Sequence, residues 1–190
     1  MKKVILVHGY NGIPPIYNWL EKELTSKGYE VIIPEFPIRE GVIYSKWKKI
    51  MDLYKQEINP NTIFITHSIG NEFLIKYLYE NNIKINLYIG LAGFTREFKC
   101  ENRDDLNRAL KEFLVNNEEK DKFKELVQIK YSIYSDNDHI VPFNILEEYA
   151  KDVNAIPIFI KGIGHMGNKS GLDSIPEVLE IIERNENCGQ

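Results

Sequence analysis

A serine near the middle of the chain has the sequence context of a nucleophile. Ser68 follows the apolar run Phe64-Ile65 and precedes a segment with helical spacing. A sharp strand-to-helix turn at this point would lift its Oγ clear of the sheet. Such a turn needs small residues two positions to either side: Gly70 provides one, whereas Thr66 stands where glycine is usual. The alternative is that Ser68 only caps the following helix, which serine does well.

A histidine and two carboxylates lie where a serine nucleophile would need partners. His165 stands among the glycines of the segment G-I-G-H-M-G, which is typical of a loop, and an imidazole suits a general base. Asp136 and Asp138 follow another apolar run, and either could hold an imidazole in the required tautomer. The alternatives are an exposed loop histidine and a turn shaped by aspartate side chains.

The turn H-G-Y-N-G at residues 8–12 could help to stabilise an oxyanion. An oxyanion hole needs two backbone N–H groups directed at the developing negative charge. One would come from Ile69, directly after the serine, and the other from Tyr10 or, as the weaker candidate, Asn11. The neighbouring glycine would allow close approach of the backbone. The alternative is a plain tight turn.

The order of these residues along the chain strengthens the separate signals. Serine, aspartate and histidine each follow a different apolar run, in the order expected of a hydrolase with a nucleophile elbow. The other three histidines fit the role of base less well. His8 precedes the first turn, His67 should point away from its neighbour on a sharp elbow, and His139 adjoins Asp138.

Short apolar runs alternate with segments of helical period and would position these residues. The predicted strands are 4–7, 31–33, 63–66, 87–91, 129–134 and 156–160. Several runs are continuous, which is typical of strands covered on both faces in a parallel sheet. The predicted helices cover residues 16–24, 44–58, 73–78, 146–150 and 175–182. The pattern predicts a doubly wound α/β fold whose ligands bind beyond the carboxyl ends of the strands.

Residues 94–126 interrupt this alternation. The segment is long and polar, and Leu106, Leu110, Phe113 and Leu114 recur at helical spacing. It forms either ordinary surface helices or a small cap over the site. We find no sign of a linker, so we expect residues 1–190 to form a single domain.

At these motifs the chain resembles the α/β-hydrolase superfamily. More narrowly, it is similar to the compact serine hydrolases grouped with retinoblastoma-binding protein 9 and the bacterial YdeN-like esterases. The similarity covers nearly the whole chain, through V-I-L-V-H-G-Y, T-H-S-I-G, S-D-N-D-H-I-V-P and G-I-G-H-M. It implies a minimal six-stranded, mostly parallel sheet of order 2-1-3-4-5-6, with little or no lid.

The resemblance also implies roles for individual residues. Ser68 would be the nucleophile and His165 the base, with Tyr10 and Ile69 as the oxyanion donors. The D-x-x-V-P pattern favours Asp138 over Asp136 as the acid, because the acid of the superfamily lies just ahead of this Val-Pro pair. Thr66 departs from the G-H-S-x-G form usual in this group.

The expected activity is therefore cleavage of small carboxylic esters through an acyl-enzyme, with no cofactor and no metal. One alternative is a protein-binding module with a vestigial triad, although the L-x-C-x-E peptide recognised by pocket proteins is absent around Cys100. Another is thioester hydrolysis, acyl transfer or peptide cleavage on the same machinery.

Composition narrows the partners and the setting. The 190 residues contain 24 Lys and Arg against 28 Asp and Glu, a net charge of −4, which lacks the basic footprint of a nucleic-acid-binding protein. No apolar run approaches the roughly 20 residues of a membrane span. The two cysteines, Cys100 and Cys188, form no metal-binding or redox motif. We therefore expect a cytoplasmic protein that acts on a small molecule, without contact to nucleic acid or membrane; the sequence identifies no protein partner.

Overall fold

The computed structural model describes residues 2–187, and all six of its strands belong to one parallel sheet. The strands are β1 (Lys3–Val7), β2 (Glu30–Ile32), β3 (Ile63–His67), β4 (Ile85–Leu91), β5 (Val127–Tyr134) and β6 (Ile156–Phe159). Their order is β2-β1-β3-β4-β5-β6. The predicted doubly wound α/β fold and its strand order are confirmed.

The centre of the sheet is covered on both faces. All five residues of β3 are buried, and because side chains alternate between the faces of a strand, both faces must be shielded from solvent. The edge strands β2 and β6 have no fully buried residue. The burial of β3 is what its continuous apolar run predicts. The run at β6 is also continuous but is largely exposed, because an edge strand is covered less completely than a central one.

Seven α-helices connect and cover the strands in the described residues. They are α1 (Pro15–Ser26), α2 (Tyr44–Asp52), α3 (Gly70–Asn81), α4 (Asp104–Phe113), α5 (Asn117–Leu126), α6 (Phe143–Asp152) and α7 (Pro176–Asn187). The first of these begins at a proline and ends before Gly28, whose φ of 87° suits glycine, as the sequence indicates.

The helix predicted over residues 44–58 is shorter than expected. Helix α2 ends at Asp52, and a separate 3₁₀ turn covers Lys55–Glu57. The N–H groups of Leu53 and Tyr54 donate to carbonyls three residues earlier, at 3.1 and 2.9 Å, which tightens the last turn and ends the helix.

The long polar segment forms helices α4 and α5. A capping box begins α5, since Asn116 accepts from the N–H of Glu119 and the Glu119 carboxylate accepts from the N–H of Asn116. This helix packs against α3 and β5. Helix α4 contacts α3, and its Leu106 lines the cavity described below. Ordinary surface helices and a small cap over the site both stay predictions for residues 94–126. The single-domain organisation of the chain also stays a prediction.

Two further points concern the sequence expectations. None of the helices in the described residues is long and apolar enough to cross a membrane. Cys100 is a half-buried free thiol, and Cys188 lies outside the described residues.

Candidate active site

Ser68 lies on a sharp turn between β3 and α3. Its φ of 54° is in the left-handed region that residues other than glycine rarely adopt, and its N–H donates to the Leu91 carbonyl at 2.9 Å. A Cβ at Gly70 would lie 2.8 Å from the His8 carbonyl oxygen and 2.9 Å from that of Val7. Glycine therefore lets α3 pass close to the end of β1. The Ser68 side chain caps no helix; its Oγ faces His165 instead.

A buried amide holds this turn in place. The Asn71 side chain donates to the carbonyls of Ser68 at 2.6 Å and Leu91 at 3.0 Å. Its oxygen accepts from the hydroxyls of Thr66 and Tyr88, both at 2.5 Å. Thr66, which replaces the usual glycine, thus contributes a hydroxyl that helps to fix the elbow. The sequence reasoning missed Asn71 and Tyr88, because their role depends on contacts across the sheet.

His165 lies between the serine and one of the two carboxylates. Its Nε2 is 3.1 Å from Ser68 Oγ, and its Nδ1 is 2.7 Å from Asp138 Oδ2. The nearly buried Asp138 side chain accepts through Oδ1 from the N–H groups of Ile140 at 2.7 Å and Val141 at 2.9 Å. Burial raises the pKa of Asp138, but the hydrogen bonds from His165 and these amides outweigh it, so its pKa is below the usual value.

The end of β5 anchors the loop that carries His165. Asp136, which is exposed, accepts from the N–H of Gly162 at 2.8 Å. The Asn137 side-chain oxygen accepts from the N–H of Gly164 at 2.7 Å. The Ser135 hydroxyl accepts from the N–H of Ile163 at 3.0 Å. Of the two candidate carboxylates, therefore, Asp138 contacts the imidazole and Asp136 holds its loop.

The other histidines have distinct surroundings. His67 is buried, and its Nε2 lies 2.7 Å from the carbonyl oxygen of His165, to which it donates. Burial, together with the nearby His165, lowers the pKa of His67 to about 3, so the ring is neutral. Burial also lowers the pKa of His8, whose Nε2 accepts from the N–H of Phe36 at 3.2 Å. His139 lines the same cavity as Ser68 and His165.

The two predicted oxyanion donors flank the serine. Ile69 follows Ser68 directly, and Tyr10 lines the cavity in front of it. Within residues 2–187, the N–H groups of Tyr10 and Ile69 donate to no backbone carbonyl. A Cβ at Gly9 would lie 2.9 Å from His67 Nδ1 and 3.1 Å from the Ser68 Cβ, so glycine allows the first loop to approach the elbow closely.

Tyr10, Ser68 and His165 line a cavity of about 510 Å³, which is large enough for a small organic molecule. A larger depression of about 670 Å³ lies between residues 94–99 and α4, but Ser68, Asp138 and His165 do not line it. Within the described part of the chain, no group of three or more His, Cys, Asp or Glu residues could hold a metal ion.

A parallel sheet of order 2-1-3-4-5-6, with a serine on the turn after its third strand, defines the α/β-hydrolase class. Residues 4–184 match the sequence pattern of the serine hydrolase family, and the chain belongs to that family.

Individual relatives agree with this assignment. YdeN of Bacillus subtilis (strain 168) is 24% identical over 185 residues, covering 95% of this chain and 94% of its own. The crystal structure of the B. subtilis ydeN gene product has a TM-score of 0.82 at 24% identity, covering 97% of this chain and 98% of that one. A carboxylesterase structure from Nitrososphaera gargenis has a TM-score of 0.72 at 12% identity, covering 98% and 90%. The predicted membership of the YdeN-like α/β hydrolases is confirmed.

Proposed function

We propose that this hydrolase cleaves small carboxylic esters through a Ser68–His165–Asp138 triad and an acyl-enzyme. The observation that carries the proposal is the continuous chain of contacts from Asp138 through His165 to Ser68, with distances of 2.7 and 3.1 Å. These contacts open onto a cavity of suitable size.

In the first half of the reaction, Ser68 Oγ attacks the ester carbonyl carbon while His165 Nε2 takes the hydroxyl proton. The carbonyl oxygen becomes an oxyanion that accepts from the N–H groups of Tyr10 and Ile69. The tetrahedral adduct then expels the alkoxide, which His165 protonates as it leaves. General acid–base transfer is typically worth about 10²–10⁴ in rate, and one oxyanion donor about 10²–10³.

In the second half, water attacks the acyl-enzyme. His165 takes a proton from the water, the oxyanion forms again at the same amides, and its collapse returns the proton to Ser68 Oγ and releases the carboxylic acid. Asp138 stays ionised throughout, because its hydrogen bonds from His165, Ile140 and Val141 favour the carboxylate. It fixes the tautomer of His165 and stabilises the imidazolium.

The experiment that tests this proposal is active-site labelling followed by ester turnover. We expect a fluorophosphonate probe to label Ser68 and para-nitrophenyl acetate to be hydrolysed. Ser68→Ala should lose both properties while keeping the melting temperature of the wild type within a few degrees. The exposed Ser26 offers a matched control, since Ser26→Ala should retain both properties. Labelling that survives Ser68→Ala would contradict the proposed nucleophile. Labelling without turnover of any ester in a chain-length series would leave the nucleophile in place but reject the ester specificity.

A further inference from the structure

The cavity in front of Ser68 carries an excess of positive charge that the proposed triad does not use. Arg39, Arg103 and Lys169 line it, and among the described residues no aspartate or glutamate does. The protein as a whole has a net charge of −4. A cationic cavity in an acidic protein is therefore a local feature of the site and not a reflection of the overall composition.

Two carboxylates that contact residues of the cavity lining, Asp105 and Asp138, are already engaged. Asp105 accepts from the Tyr10 hydroxyl, and its Oδ1 lies 3.6 Å from Arg103 Nε, so Arg103 is partly neutralised. Asp138 lies behind His165, with a side chain that is 1% exposed. Within the described part of the chain, the ion pairs involve neither Arg39 nor Lys169. The side chains of Arg39 and Lys169 can therefore form ion pairs with a ligand in the cavity.

The backbone of Arg39, at the edge of the cavity, has a left-handed conformation. Its φ of 52° lies in the left-handed region, and its N–H donates at 3.0 Å to the carbonyl of Tyr10, one of the two proposed oxyanion donors. Residues other than glycine rarely adopt this region, and those that do are found preferentially at functional sites. The hydrogen bond ties the position of Arg39 to the loop that faces the reacting carbonyl.

We propose that the preferred substrate is an ester that carries a negatively charged group, a carboxylate or a phosphate, bound by Arg39 and Lys169 beside the scissile carbonyl. This inference rests on the proposed ester hydrolysis and adds the substrate class. Cations lining a partly enclosed cavity raise the local concentration of anions and form charge-assisted hydrogen bonds with carboxylate or phosphate oxygens. The aromatic and aliphatic remainder of the lining, Tyr10, Leu106 and Ile140, would contact the uncharged part of the substrate.

Two pairs of esters that differ in one charge test the substrate class. On the alcohol side, para-acetoxybenzoate is compared with para-acetoxybenzamide. On the acyl side, the para-nitrophenyl monoester of adipic acid is compared with para-nitrophenyl hexanoate. We expect at least one anionic ester to exceed its neutral counterpart about tenfold in kcat/KM at low ionic strength, and this ratio to fall as salt is added. A ratio near one in both pairs would overturn the inference and leave the proposed ester hydrolysis standing.

Variants then locate the preference. The double variant Arg39→Gln, Lys169→Gln should lower the ratio of anionic to neutral turnover about tenfold. The matched control, Lys99→Gln with Arg108→Gln, removes two exposed positive charges from the other depression and should keep the wild-type ratio. Equal ratios in the two double variants would overturn the assignment to Arg39 and Lys169, because removing two positive charges elsewhere would then have the same effect. Melting curves establish that all variants are folded.

A protection experiment separates failure of this inference from failure of the ester proposal. An uncharged fluorophosphonate labels the serine, and para-acetamidobenzoate or its uncharged carboxamide is added as a competitor. Stronger protection by the anion, lost in the Arg39→Gln, Lys169→Gln variant, would support the cationic binding site even if no ester were turned over. Equal protection by the two competitors would overturn it.

Discussion

Asp136 and Asp138 are two residues apart, but their carboxylates have different surroundings. Asp138 is nearly buried and contacts His165 Nδ1 at 2.7 Å, while its other oxygen accepts from two backbone N–H groups. Asp136 is exposed and accepts from the N–H of Gly162. In the proposed mechanism only Asp138 can stabilise the imidazolium of His165 as the oxyanion forms.

Replacing each carboxylate by an amide separates the two roles. We expect Asp138→Asn to lower the kcat for para-nitrophenyl acetate by about a hundredfold or more, because an amide neither stabilises the imidazolium nor favours the required tautomer. Asp136→Asn keeps an oxygen for the N–H of Gly162 and should stay within a few-fold of the wild type. Steady-state kinetics with both purified variants checks this, and a larger loss in Asp136→Asn would reverse the assignment of the acid.

The elbow between β3 and α3 depends on how closely three elements approach one another. The end of β1 lies against the first turn of α3, where the carbonyl oxygens of Val7 and His8 leave no room for a Cβ at Gly70. The Asn71 amide then ties the elbow to the end of β4 through the Leu91 carbonyl. The position of Ser68 is therefore set by these contacts as well as by its own φ.

Gly70→Ala measures the close approach. In an unconstrained helix, alanine is favoured over glycine by about 1 kcal/mol. Here a Cβ would lie 2.8 Å from one carbonyl oxygen and 2.9 Å from another, so we expect a net loss of about 1–3 kcal/mol in the free energy of unfolding. Urea denaturation provides the measurement, and Glu180→Ala on the exposed face of α7 serves as the control. A variant as stable as the wild type would show that α3 and β1 are not in contact at this point.

The stability of the whole molecule should depend on pH through buried groups that the proposed chemistry does not titrate. His67 has a pKa of about 3 in the folded protein, against about 6.5 for an unperturbed histidine. Between these values the unfolded chain binds more protons, so stability falls as the pH falls through this window. Burial raises the pKa of Glu72 well above the usual value. The folded protein therefore binds this proton more readily than the unfolded chain, and the contribution of Glu72 to stability rises as the pH falls.

His67→Gln isolates the first of these groups. Glutamine keeps an N–H that can reach the carbonyl of His165 but does not titrate. Between pH 7 and pH 5 we expect the free energy of unfolding of the wild type to fall by about 2 kcal/mol more than that of the variant. Asp138 does not interfere with this comparison. Its pKa is lowered in the folded protein, so the stability that it contributes is present above its pKa in the unfolded chain and is lost only at a pH more acidic than this range. Urea denaturation at both pH values gives the comparison, with His139→Gln, at an exposed position, as the control. Parallel pH dependences in the wild type and His67→Gln would contradict the buried neutral state of His67.

The sequence alone determined the features that depend on local pattern. Continuous apolar runs separated by helical stripes are sufficient to predict a parallel α/β sheet, because a buried strand must be apolar on both faces. The same runs mark where each strand ends, so they identify Ser68, His165 and an aspartate as neighbours at one edge. From these residues alone, Asp136 and Asp138 remained equal candidates, and only the resemblance to known hydrolases favoured one.

The tertiary structure decided what depends on contacts between distant segments. The loop after β5 places Asp138 against the His165 imidazole, and it places Asp136 where its carboxylate holds the loop that carries His165. The polar cluster of Thr66, Asn71 and Tyr88 forms because three elements meet behind the elbow. Arg39 and Lys169 are 130 positions apart and have no shared motif, yet they line one cavity. The local sequence around each residue cannot predict that the two residues meet, because the cavity forms only when the chain packs around its sheet.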